Sequence, residues 1–162
     1  MAGSKEDVEM ARAFFQDLRG RSLGDPLLVV SDGAPGIIRA IEECFPRSAR
    51  QRCLAHRMRN LAAKVPTDLW PEFKVRVSAC YQAPSRAIAR QLAAGIRADY
   101  ADLLPSALAC FEDDFEACIA HLRLPVTRRR FIRTTNLLER LFVEERRRLK
   151  IIPNGLDRKS VV

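Results

Sequence analysis

Leu27-Leu28-Val29-Val30-Ser31-Asp32-Gly33-Ala34-Pro35-Gly36 is the stretch from which the rest of the chain can be read. Four apolar residues, two of them β-branched, predict a short buried strand. A hydroxyl, a carboxylate and a Gly-Ala-Pro-Gly turn follow, and Ile37-Ile38-Arg39-Ala40-Ile41 then restarts with helical spacing. A carboxylate at the carboxyl end of a buried strand, just ahead of a helix, is where open α/β sheets place ligand and metal chemistry. Asp at such a corner also serves simply to cap the helix or shape the turn. Both roles stay open on these ten residues alone.

The chain has 162 residues, 48% hydrophobic and 30% charged, a globular composition with enough length for one sizeable core. No apolar run approaches the roughly 20 residues that span a bilayer, and Met1 to Asp7 is polar where a signal peptide would be apolar. The expectation is a cytoplasmic protein with no membrane contact. Five widely spaced cysteines, Cys44, Cys53, Cys80, Cys110 and Cys118, predict reduced buried thiols rather than a disulfide framework. The net charge of +8 is placed unevenly. From Arg123 onward twelve Lys and Arg face four Asp and Glu, so the final 40 residues carry the entire excess. The runs Arg128-Arg129-Arg130 and Arg146-Arg147-Arg148 point to a polyanion, of which DNA and RNA are the common cases.

Outward from the central stretch, Val8, Ala11, Phe14, Phe15 and Leu18 have the spacing of an amphipathic helix over residues 6–18. A helix over 36–44 ends at Phe45-Pro46. Residues 49–54 predict a second short strand, and His56 to Lys64 a basic helix with Arg57 and Arg59 near its start. From Asp68 to Leu122 the pattern is helical throughout, with breaks at Pro84-Ser85 and Pro105-Ser106. Phe111, Phe115, Cys118, Ile119 and Leu122 form one apolar stripe opposite Glu112, Asp113, Asp114 and Glu116. Trp70, Phe73 and Tyr81 read as core, and His121 as a capping or surface residue. Residues 123–135 read as a basic connector ending in a Thr134-Thr135-Asn136 cap. A long helix follows over 137–150, with Leu137, Leu138, Leu141 and Phe142 on its packed side.

Three features then fall together: Asp32 at a strand end, Cys53-x-x-His56 after the second strand, and Glu139 on a helix beyond a helical block. A hard divalent cation, Mg²⁺ or Mn²⁺, takes carboxylate oxygens, and Asp32 and Glu139 are the candidate catalytic and metal-binding residues. Two metals held by three carboxylates activate a nucleophile and stabilise the leaving oxygen of a phosphodiester. The candidate phosphate contacts are Arg57, Arg59, Arg128, Arg129, Arg130, Arg140, Arg146, Arg147, Arg148 and Lys150. Cys53 and His56 supply two of the four ligands of a structural zinc, so packing or organising the site is the reading preferred to zinc binding.

The chain resembles the Mutator-type DDE transposases of bacterial insertion sequences. The matching pieces are Val30-Ser31-Asp32-Gly33-Ala34-Pro35-Gly36-Ile37 with Ala40-Ile41, Phe45-Pro46, and Gln51-Arg52-Cys53-Leu54-Ala55-His56-Arg57-Met58-Arg59-Asn60. They continue in Arg133-Thr134-Thr135-Asn136-Leu137-Leu138-Glu139-Arg140 and Glu145 to Lys150, in the family's order and spacing over residues 5–153. The resemblance implies an α/β fold, mostly helical: a partial RNase H-like catalytic core interrupted by an all-helical insertion. It assigns 1–67 to the core, 68–122 to the insertion, 123–153 to the basic connector and the Glu-bearing helix, and 154–162 to a divergent tail. Asp32 then matches the family's second catalytic Asp, Glu139 its catalytic Glu, and Cys53 and His56 its C-x2-H pair.

The implied activity is Mg²⁺-dependent strand cleavage and strand transfer, with element ends and target DNA as partners. Two departures qualify it. The family's first catalytic Asp and its N-terminal DNA-binding region lie upstream of everything here, and Asp7, Asp17 and Asp25 do not replace that Asp. Phe142 stands where the family often has a polar residue. The expectation is therefore an incomplete, inactive fragment of a transposase. The alternative is a non-catalytic DNA-binding or regulatory remnant that self-associates or pairs with full-length transposase.

Overall fold

A computed structural model describes residues 5–149. Helix α1 (Lys5–Gly20) leads into strand β1 (Leu28–Ser31), helix α2 (Pro35–Cys44), strand β2 (Ala49–Arg52) and helix α3 (Leu54–Ala62). Helices α4 (Trp70–Tyr81), α5 (Arg86–Tyr100), α6 (Pro105–Glu112) and α7 (Phe115–Cys118) follow, then a 3-10 turn over Ala120–Arg123. Helices α8 (Val126–Ile132) and α9 (Asn136–Leu149) complete the described chain. The protein is mostly helical around one two-stranded parallel sheet, in which Leu28 pairs with Ala49 and Ser31 with Arg52. The β1–α2–β2 unit is the crossover that parallel strands require.

The turn after β1 is fixed by its residues. Gly33 has φ +89, a left-handed conformation that glycine adopts without penalty, and a Cβ there would run into the Arg52 guanidinium. Pro35 opens α2, where its missing N–H costs nothing. Gly36 lets α2 approach α1 so closely that an added Cβ would sit 3.1 Å from the Val8 side chain. Phe15 packs edge-on to Phe45 across the same contact, and Arg12 bonds Glu43 at 2.6 Å.

The main core lies in the helical block, where Phe73, Val77, Cys80, Ala89, Ile96, Phe111 and Cys118 are fully or almost fully buried around Leu54 and Leu61 of α3. Ser85 caps α5 by accepting from Ile88 N–H at 3.3 Å, as the Pro84-Ser85 pair predicts. Pro105 is the first residue of α6, with Leu104 rather than Ser106 at the cap, because proline favours the first helical position. Hydrogen bonds from Arg90 and Arg86 draw the Glu116 carboxyl down to about 2, which ties α5 to α7. The five cysteines are free, four of them buried.

Three expectations need correction. The apolar stripe from Phe111 to Leu122 is not one helix: α6 stops at Glu112, and Asp114 takes a left-handed conformation at φ 58 before α7 begins. Of the acids opposite that stripe, Glu112, Asp113 and Glu116 are exposed and Asp114 is not. Asp114 binds Arg50, and Arg52 at 3.4 Å, so it fastens the helical block to β2. Within the basic connector, residues 126–132 form α8, held by Arg129 donating to the carbonyls of Leu122, Leu124 and Pro84. Finally, Leu138, Leu141 and Phe142 are more than half exposed, because only the first turn of α9 is tied to the rest of the described chain.

Candidate active site

Asp32 lies immediately beyond β1, on an exposed corner, and its Oδ1 accepts the Ala34 N–H at 3.1 Å. It therefore shapes the turn, as Asp does at such corners, while keeping its carboxylate at the strand end. The sheet pairing runs one step further here, with Cys53 N–H donating to Ser31 carbonyl at 2.7 Å. This register puts Cys53, the N-cap of α3, beside the backbone that leads into Asp32.

Cys53 is fully buried, and its sulfur gathers residues distant in sequence. Thr135 N–H and Oγ1 lie 3.3 Å from Sγ across 82 residues, and His56 Nδ1 lies 3.2 Å away. Leu54 N–H donates to Arg133 carbonyl at 2.9 Å, a second tie between the start of α3 and the segment before α9. Burial pushes the Cys53 thiol up, but the donors on Thr135 and His56 outweigh it and bring the thiol below its ordinary value.

The same threonine holds Glu139. Its hydroxyl donates to Glu139 Oε1 at 2.8 Å, and Glu139 N–H donates to Thr135 carbonyl at 3.0 Å in the first turn of α9. His56 Nδ1 stands 3.8 Å from the same Oε1. Cys53, His56, Thr135 and Glu139 thus form one connected cluster at the carboxyl end of β2. Neither the sequence period nor helix propensity marks Thr135 for this; the available signal was its position four residues before Glu139, read only as a cap.

The two carboxylates have the hard oxygen donors that Mg²⁺ or Mn²⁺ takes. Among the described residues, no three of His, Cys, Asp and Glu converge as a ready-made ligand set. The donor chemistry fits a divalent cation, and the described set is short of a full coordination shell.

The candidate phosphate contacts divide. Arg57 is 1% exposed, and its guanidinium donates to the Cys110 carbonyl at 2.6 Å and to the Asp113 carbonyl. It is a structural clamp between α3 and α6, which corrects its assignment as a DNA contact. Arg129 is occupied in much the same way by the carbonyls that hold α8. Arg59, Arg128, Arg130, Arg140, Arg147 and Arg148 are exposed. Arg147 and Arg148 both pair with Glu144, at 2.8 and 2.9 Å, an exposed arrangement of little net strength. Arg146 lies on α9, and Lys150 falls outside the described residues, as does the 154–162 tail. His121 also differs from expectation: it is buried, with its ring against Gln51 Oε1 and the Tyr81 carbonyl at 3.1 Å each.

The profile of the family described as "Transposase, Mutator family" matches residues 1–161. The chain belongs to this family. It is 29% identical over 149 residues to the transposase for insertion sequence element IS6120 of Mycolicibacterium smegmatis, covering 92% of this chain and 46% of that one. It is 30% identical over 159 residues to the IST2 transposase of Acidithiobacillus ferrooxidans, covering 98% and 54%. The transposase of IS256 in transposon Tn4001 from Staphylococcus aureus is 33% identical over 161 residues, covering 94% and 39%. The chain spans about half the length of the first of these Mutator relatives, or less. Among the described residues no helix is long and apolar enough to cross a membrane.

Proposed function

We propose that this chain carries part of the catalytic centre of a Mutator transposase, with Asp32 and Glu139 as two of its metal-binding carboxylates and DNA as its partner. The observation that carries this reading is the hydrogen-bonded cluster that ties Glu139 through Thr135 to Cys53, whose backbone N–H pairs with the carbonyl of Ser31, the residue before Asp32. The Cys53–Thr135 and Thr135–Glu139 bonds hold that carboxylate there although the whole helical block intervenes in sequence. The two-stranded sheet with its crossover is, on this reading, a portion of an RNase H-like core.

Asp32 and Glu139 would hold Mg²⁺ or Mn²⁺, which when bound activates the attacking oxygen and stabilises the leaving oxygen of the phosphodiester. Thr135 fixes the Glu139 rotamer, and Cys53 fixes Thr135. The exposed Arg59, Arg128, Arg130 and Arg140 neutralise phosphates and set the register of the duplex, a partner that supports a cytoplasmic location. The described ligand set lacks a third carboxylate, which favours a chain without strand cleavage of its own. That same observation supports the second reading, a DNA-binding remnant that self-associates or pairs with a full-length transposase.

The test is nicking and strand transfer of labelled DNA by the purified chain in Mg²⁺, beside Asp32→Ala and Glu139→Ala. Salt-sensitive DNA binding without cleavage in all three is the expected result. Cleavage that disappears in both variants would establish a complete metal site here and overturn the incomplete-centre reading. Absence of salt-sensitive binding would overturn the DNA reading itself.

A further inference from the structure

A cleft of about 220 Å³ opens between α3, α4 and the segment joining α8 to α9. Its walls adjoin the candidate site along the chain: Leu54 follows Cys53, and Thr134 precedes Thr135. The Leu54–Arg133 backbone bond at 2.9 Å joins the two walls. Leu54 and Met58 give the cleft an apolar lining, while Ser78, Gln82, Arg133 and Thr134 add hydrogen-bonding groups. Such a lining suits a flat heterocycle with a polar edge: apolar contact for its face, and donors and acceptors of both kinds for its rim. The volume lies below the roughly 300–1,000 Å³ of ordinary small-molecule sites, so it suits one ring system better than a whole nucleotide with its sugar and phosphate.

We propose that this cleft receives a single unpaired nucleobase of the bound DNA, held where the chain runs from Leu54 to Cys53 and from Thr134 to Thr135. The inference rests on the DNA reading above and adds a binding site to it. The guanidinium of Arg133 supplies charge for the backbone of the displaced nucleotide, and Gln82 supplies an amide that both donates and accepts. Displacing a base costs a few kcal/mol in a paired duplex and least where the base is already unpaired. The cleft therefore discriminates by how readily a nucleotide leaves the stack.

The experiment compares the full chain binding a paired duplex and the same duplex carrying one bulged 2-aminopurine. Affinity for the bulged duplex is expected to be about fivefold higher, the lower end of what holding one base contributes, with a change in 2-aminopurine fluorescence. Ser78→Trp, which fills the cleft, should abolish both effects while leaving affinity for the paired duplex within about twofold. Gln82→Ala, at an exposed position that cannot threaten folding, should reduce the preference in the same direction. Equal affinity for the two duplexes, or a preference that survives both substitutions, overturns the nucleobase site and leaves DNA binding standing. No salt-sensitive binding to either duplex overturns the DNA reading and this inference with it.

Discussion

Arg57 and Arg59 stand two positions apart on α3, yet burial gives them opposite work. The Arg57 guanidinium, itself almost fully buried, donates to two backbone carbonyls, of Cys110 and Asp113. Arg57→Met keeps the volume and the apolar stem but orphans both carbonyls, and should lower stability by about 3 kcal/mol. Urea denaturation of the variant reads this directly; DNA affinity per folded molecule should not change. Arg59→Gln should do the reverse, leaving the urea midpoint in place and lowering the slope of log K against log salt by about one. Residue type and helical spacing mark both arginines as basic and say nothing of which faces the core. That difference comes from α6, more than fifty residues away.

The β1–turn–α2 element was legible because its signals are local: a β-branched run, a glycine that needs positive φ, and a proline at a helix start. The position of Glu139 in the first turn of a helix was legible on the same terms. The break at Asp113–Asp114 was not. The apolar residues Phe111, Cys118, Ile119 and Leu122 keep near-helical spacing across it, so the pattern looks continuous although the backbone leaves the helix. What stops the helix is Asp114, whose carboxylate answers Arg50 and Arg52 on β2, a partnership invisible to any local window. All three side chains are less than one-fifth exposed, so removing the acid strands two poorly solvated cations. Asp114→Ala should therefore destabilise the fold by about 3 kcal/mol. Asp114→Asn tolerates the left-handed backbone while discarding the charge, and thermal melts of the pair divide the conformational part from the electrostatic part. Equal melting temperatures for Asp114→Ala and the parent chain would remove Asp114 as the anchor of the helical block.

At the scale of the molecule, charge and packing are separated along the chain. Arg57 ties α3 to the end of α6 and Arg129 holds α8 to the residues before it, whereas the exposed Arg128, Arg130 and Arg140 flank the segment that carries the Glu139 cluster. An excess of +8 confined to the last 40 residues creates a field that packing does not require, and a polyanion is the partner that such a field attracts. Each neutralised phosphate releases condensed counterions, so affinity should fall steeply with salt, by a slope of about 0.9 per contact. Replacing Arg128, Arg130 and Arg140 together by Gln removes three exposed charges without touching a buried bond, and should flatten that slope by roughly three while leaving the melting temperature in place. Fluorescence anisotropy across a series of salt concentrations measures it. A slope unchanged by the triple substitution would move the DNA track off α8 and the start of α9, leaving Glu139 in its cluster but without a phosphate backbone laid across it.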